Sequence, residues 1–139
     1  MKPLLLTTLL ALLAISAEAR VGETIKQVEA RYGKPQKIFI DRTDLRKVGY
    51  GYRGFMVIVY FSGGVSKRES FGLPGGRKIS RQAASELLRL STAPGTSWKE
   101  GHGDHGDILW ISNQKRVVAA LSQDADAFIV QDLRFNSRE

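Results

Sequence analysis

Seven consecutive residues, Phe55-Met56-Val57-Ile58-Val59-Tyr60-Phe61, leave this chain the fewest choices. All are apolar or aromatic and three are β-branched, a composition that fits pleated, extended backbone better than helix. Successive side chains of a strand point to opposite faces, so Phe55, Val57, Val59 and Phe61 share one face while Met56, Ile58 and Tyr60 share the other. Both faces of such a strand call for cover. The run is far too short to cross a membrane as a helix, which takes about 20 residues. It therefore belongs in the interior of a sheet.

The flanking residues supply that sheet. Lys47–Tyr52 alternates Val48, Tyr50 and Tyr52 with Lys47, Gly49 and Gly51, and Arg53-Gly54 joins it to the central run as a hairpin turn. Ser62-Gly63-Gly64 turns the chain again into Val65–Phe71, whose Lys67, Arg68 and Glu69 fit a more exposed strand. A short strand at Lys37–Asp41 precedes them. Ahead of that, Thr24 followed by Ile25, Val28 and Tyr32 at helical spacing, with Gln27 placed for a capping box, predicts a helix ended by Gly33 and Pro35. After a linker over Gly72–Lys78, Ser80 caps a second helix carrying Ala83, Ala84, Leu87 and Leu88. Three strands are expected to follow, at Asp107–Ser112, Arg116–Ser122 and Ala127–Phe135. The expected fold is α+β, with two helices packed on one face of an antiparallel sheet. A tandem helix-βββ repeat is a possible arrangement, with halves at Gly22–Phe71 and Ile79–Phe135, and it leaves the other sheet face open.

The N-terminus reads as an address. Met1-Lys2 is a positive start, Leu4–Ile15 is an apolar core broken only by Thr7 and Thr8, and Ala17-Glu18-Ala19 is a small-x-small cleavage pattern. Cleavage after Ala19 leaves Arg20–Glu139 as one domain, periplasmic or secreted, without a further apolar run of spanning length. The chain has no cysteine, which excludes disulfides, thiol chemistry and zinc–thiolate sites. Its 21 Lys and Arg against 14 Asp and Glu give +7, an excess that serves solubility and could attract phosphate-rich envelope polymers or nucleic acid.

Gly22-Glu23-Thr24-Ile25-Lys26-Gln27-Val28, then Tyr32-Gly33-Lys34-Pro35, then Phe55–Phe61 with Gly63-Gly64-Val65, resembles the small outer-membrane assembly lipoproteins (SmpA/OmlA). The helix-plus-hairpin unit in tandem is similar to the β-lactamase inhibitor protein. The resemblance runs from Val21 to about Phe71, and beyond Ile79 only the order of elements agrees. It implies a non-enzymatic domain that binds other proteins through its sheet. Lipid anchoring does not carry over, because Arg20 stands where a lipoprotein has its cysteine.

Several motifs touch on chemistry without completing it. Gly101-x-Gly103-x-x-Gly106 has the dinucleotide-binding spacing, but a strand follows it and Asp104 and Asp107 would repel phosphate. Ser112-x-x-Lys115 falls across a hairpin turn rather than on a helix. His102 and His105 with Asp104 and Asp107 hold the ligand types of a metal-dependent hydrolase, at a spacing that is not diagnostic. No cofactor is expected and no metal site is assigned.

The leading expectation is an exported, non-enzymatic protein-binding module of the cell envelope. Tyr50, Tyr52, Tyr60 and Trp110 are its candidate contacts, because aromatic residues dominate interface energetics. The partner would be another envelope or secreted protein, or a second copy in a homodimer. The first alternative is polyanion or wall-polymer binding through Lys67, Arg68, Arg77, Lys78 and Arg81; export argues against nucleic acid. The second is a small hydrolase using the His102–Asp107 loop.

Overall fold

The computed structural model describes residues 21–91, 95–114 and 116–136. The proposed leader, with Arg20, and Lys115 of the Ser-x-x-Lys pattern lie outside the described residues. The chain begins with helix α1 (Ile25–Tyr32) and continues through strands β1 (Lys37–Asp41), β2 (Arg46–Tyr52), β3 (Phe55–Ser62) and β4 (Val65–Gly72). A 3₁₀ turn at Pro74–Gly76 leads to helix α2 (Arg81–Leu90). Strands β5 (Trp98–His102), β6 (Ile108–Ser112), β7 (Val117–Leu121) and β8 (Phe128–Asp132) complete the order.

All eight strands form one antiparallel sheet in the order β1-β2-β3-β4-β8-β7-β6-β5. This corrects the expected architecture of two helices on a sheet built from tandem helix-βββ units. The molecule is dominated by a single eight-stranded sheet, and its two helices contribute only 8 and 10 residues. Four strands follow α2 rather than three. The additional strand, β5, is Trp-Lys-Glu-Gly-His, which pairs with β6 through backbone groups although its side chains carry no apolar alternation.

Local sequence explains the helix starts and the hairpins. Thr24 Oγ1 accepts from Gln27 N while Gln27 Oε1 accepts from Thr24 N, the reciprocal capping box that satisfies the first free N–H groups of α1. Ser80 caps α2 by accepting from Ala83 N at 3.0 Å. Arg53 and Gly54, with φ of 49° and 83°, form a two-residue turn of the primed type. That turn sets Tyr52 opposite Phe55, Tyr50 opposite Val57 and Val48 opposite Val59.

One face of the sheet holds the core. Val48 and Tyr50, then Val57 and Val59, then Phe71, Phe128, Val130 and Trp110 pack there, joined by Val28 and Tyr32 of α1 and Ala84 and Leu87 of α2. The rings of Phe71, Phe128 and Trp110 pack in sequence at 6.0 Å centroid spacings, tilted by 51° and 60°. Burying each aromatic ring contributes roughly 1.5–3 kcal/mol, which makes this row a substantial part of the core of a fold without disulfides. A charged network crosses it: fully buried Glu69 accepts from Arg31 Nη2 at 2.5 Å and from Tyr32 Oη at 2.8 Å, and Arg31 also pairs with Glu23. Burial works against the Arg31 charge, but Glu69, Tyr32 and Glu23 beside it more than offset that, and its pKa lies above the ordinary guanidinium value.

Candidate functional site

The opposite face of the sheet is the candidate site. Strand alternation and pairing place Met56, Ile58 and Tyr60 of β3, Leu109 and Ile111 of β6, Val118 and Ala120 of β7, and Ile129 and Gln131 of β8 on it. Met56 is 52% exposed and Ile111 43%, in contrast with the 0% of core-facing Val57 next to Met56. Leu133, just past β8, joins Ile111 and Lys99 around a shallow, mainly apolar hollow.

Toward β1 the same face becomes a row of alternating cations and rings. Lys37 Nζ lies 4.9 Å and Lys47 Nζ 5.8 Å from the Phe39 ring, and Lys47 Nζ lies 5.1 Å from the Tyr60 ring. Arg68 follows, its guanidinium 5.2 Å from Tyr60 and 5.9 Å from Phe135. Its Nε donates to Gln131 Oε1 at 2.7 Å, which anchors the guanidinium on this face. Gly49 makes this row possible, since a Cβ there would meet Phe39 Cε2 at 3.0 Å.

Acidic charge is segregated by face. Of the strand cations, Lys37, Lys47, Arg68 and Lys99 belong to the open face, while Arg46 and Lys67 lie on the core side. Among the described residues, every acidic residue of the eight strands lies on the core side: Asp41 opposite Arg46, Glu69 opposite Val59, Glu100 opposite Trp110 and Asp132 opposite Val117. An apolar surface whose strand charges, among the described residues, are all positive suits an acidic partner with apolar anchors.

The residues expected to form one aromatic contact surface are divided by this geometry. Tyr50 and Trp110 are core residues, and half-buried Tyr52 packs its ring against Tyr32 at 5.2 Å. Only Tyr60 of the four lies on the open face, and it is itself 7% exposed beneath Lys47, Arg68 and Phe135. The two-residue turn at Arg53-Gly54 carries the reason: with Tyr52 opposite Phe55, the even-numbered tyrosines of β2 share a face with the odd-numbered residues of β3. That register was available from the sequence, and it also places Lys47 beside Tyr60.

The basic residues do not gather into one patch. A bulge opposite Tyr60 and Phe61 sends Arg68 to the open face, while Lys67 lines a cleft on the core side. Arg77 donates to Pro74 O, Lys78 is exposed ahead of α2, and Arg81 pairs with Glu100. Their closeness in sequence is therefore not closeness in space.

The histidine loop is likewise dispersed. His102 ends β5, His105 is exposed, and Asp107 accepts from Gln123 N at 2.8 Å. Among the described residues, no three His, Cys, Asp or Glu side chains come together as metal ligands would. Asp132 is the acid most altered by its surroundings. Hydrogen bonds from the Arg134 side chain outweigh burial, and with the Arg134 backbone N–H and Arg116 they hold its pKa at about 2.

No protein-family model matches the chain, and no curated protein matches it. Among solved structures, a cysteine-rich secretory protein from Staphylococcus aureus subsp. aureus Mu50 is similar with a TM-score of 0.47 at 12% identity, over 82% of this chain and 44% of that one. The chain thus spans less than half the length of that protein.

Proposed function

We propose that the protein is an exported, non-enzymatic binding module of the bacterial cell envelope, and that it engages an acidic protein partner through the open sheet face. The observation that carries this reading is the pairing of exposed Met56 and Ile111 with an all-cationic set of strand charges on one face. Apolar anchors supply affinity on desolvation, whereas the surrounding lysines and arginines steer an acidic surface into register. The leader-like start at Met1–Ala19 and the resemblance to small outer-membrane assembly lipoproteins support the envelope as the place. No helix among the described residues is long and apolar enough to cross a membrane.

A second reading, polyanion or wall-polymer binding, draws on the same four cations rather than on the Arg77–Arg81 segment. The two separate by salt and by variant. Capture from an envelope extract with wild type, Met56→Asp/Ile111→Asp and Lys47→Glu/Arg68→Glu tests both. One protein retained through moderate salt and lost in both variants supports the module. Binding of polymer that collapses with salt and ignores Met56→Asp/Ile111→Asp supports the second reading. Equal capture by wild type and both variants overturns the assignment to this face.

A further inference from the structure

The core side of the sheet carries a second feature that the open-face reading does not use. Where α2 ends at Ser91, the starts of β4, β5 and β7 and the ends of β6 and β8 enclose a half-open cleft of about 330 Å³. That volume stands at the low end of small-molecule sites, which span about 300–1,000 Å³. One wall is apolar, built from Trp98, Val117 and Val130. The other is polar and positively biased.

The charges there can be counted. Asp132, 3% exposed, already accepts from Arg134 Nε at 3.2 Å, Arg134 Nη2 at 3.1 Å and Arg134 N at 2.9 Å. Arg116 Nε stands 3.5 Å from the same carboxylate. Lys67 lines the cleft as well, and among the described residues no carboxylate pairs with it. Among the described residues, the charged groups lining the cleft are thus one carboxylate and two cations, Lys67 and Arg116, and Arg134 outside the lining also pairs with that carboxylate, which leaves the cleft short of negative charge. Ser112, 4% exposed, accepts from Val117 N at 3.3 Å, and among the described residues its hydroxyl hydrogen has no acceptor.

We propose that this cleft binds a small anionic amphiphile, with its anionic head between Lys67 and Arg116 and its short apolar tail against Trp98, Val117 and Val130. Head and tail each meet matched surface: charge-assisted hydrogen bonds favour a carboxylate or phosphate over a neutral head, and the apolar wall favours an alkyl tail over a free ion. The site is separate from the open face, so its occupation does not depend on the proposed partner.

The test is calorimetric titration of protein recovered from expression of the full chain, with octanoate, octyl phosphate, 1-octanol and octylamine as probes. Fluorescence of Trp98 serves as a second readout. Saturable binding of the two anions, at least about tenfold tighter than 1-octanol, is expected. Lys67→Gln/Arg116→Gln, both at partly or fully exposed positions, should abolish that preference, while Lys37→Gln/Lys47→Gln on the open face leaves it intact. The relative affinities of octanoate and octyl phosphate tell which head the cleft prefers. No saturable binding, equal binding of 1-octanol or octylamine, or loss of binding in Lys37→Gln/Lys47→Gln overturns the inference.

Discussion

Met56 and Val57 are neighbours on the central strand, and truncating each to alanine measures which face of the sheet is covered. Val57 is completely buried beside Tyr50 and Phe71, its strand partners, so Val57→Ala removes carbon from a packed interior. Transfer of two methylene equivalents at about 0.8 kcal/mol each, plus the cavity left behind, comes to roughly 2–3 kcal/mol. Met56 keeps 52% of its surface in solvent, and its truncation forfeits only part of a methionine's burial, about 0.5–1 kcal/mol. A domain of this size has about 5–15 kcal/mol of stability in total, so the first loss is readily seen in a urea titration and the second is small. Charge sharpens the contrast: Met56→Asp should fold, whereas Val57→Asp should not. Equal losses at the two positions, or a larger one at Met56, would refute the assignment of faces and the candidate site with it.

The buried hydroxyls give an independent comparison. Tyr50 Oη is buried with no partner among the described residues, and burial, followed by nearby Glu29, raises its pKa; Tyr50→Phe should therefore cost nothing or stabilise by up to about 1 kcal/mol. Tyr32→Phe should cost about 1.5–3 kcal/mol, because it removes a donor to the buried Glu69 carboxylate; equal effects in urea unfolding would contradict the network. Glu69→Ala, which leaves Arg31 with Glu23 as its one carboxylate partner among the described residues, should cost about 3 kcal/mol by the same assay, and a loss below about 1 kcal/mol would show that the ion pair is dispensable. Asp132 has a folded pKa of about 2 against an ordinary 3.8, so its stabilising contribution is complete above pH 4 and is lost as pH falls through 2. Arg134→Ala should move that loss to higher pH, raising the acid-unfolding midpoint; an unchanged midpoint would show that Arg134 is not the group that depresses it.

Much of the framework is written in local sequence, because caps, turns and period-2 runs act over a few residues. Thr24 with Gln27, Ser80, the Arg53-Gly54 turn and the Phe55–Phe61 run each announce their element without help from distant chain. Strand β5 does not, since Trp98–His102 is held by backbone pairing to β6 rather than by its own side-chain pattern. The balance of helix and sheet is not legible for the same reason: how much of the chain joins the eight-stranded sheet depends on pairings such as β4–β8, a contact between residues far apart in the chain. The site was legible only in part. Hairpin register separates Tyr50 and Tyr52 from Tyr60, but the cation row from Lys37 to Arg68 also requires the bulges in β1 and β4, which shift one residue relative to its partner. The cleft beside Asp132 combines five strands and the end of α2, and no window of sequence contains it.

The central claim is that the open face is the one that meets a partner, and position-specific photo-crosslinking tests it most directly. A photoreactive side chain placed at Met56 or Ile111, in cells that produce the protein, should yield one discrete crosslinked protein species, while the same group at exposed Gln82 or Glu86 on α2 should yield none. The Lys47→Glu/Arg68→Glu background should reduce the yield from Met56. The same species crosslinked from α2 instead of from Met56 and Ile111, or no species at all from the open face, would contradict the account.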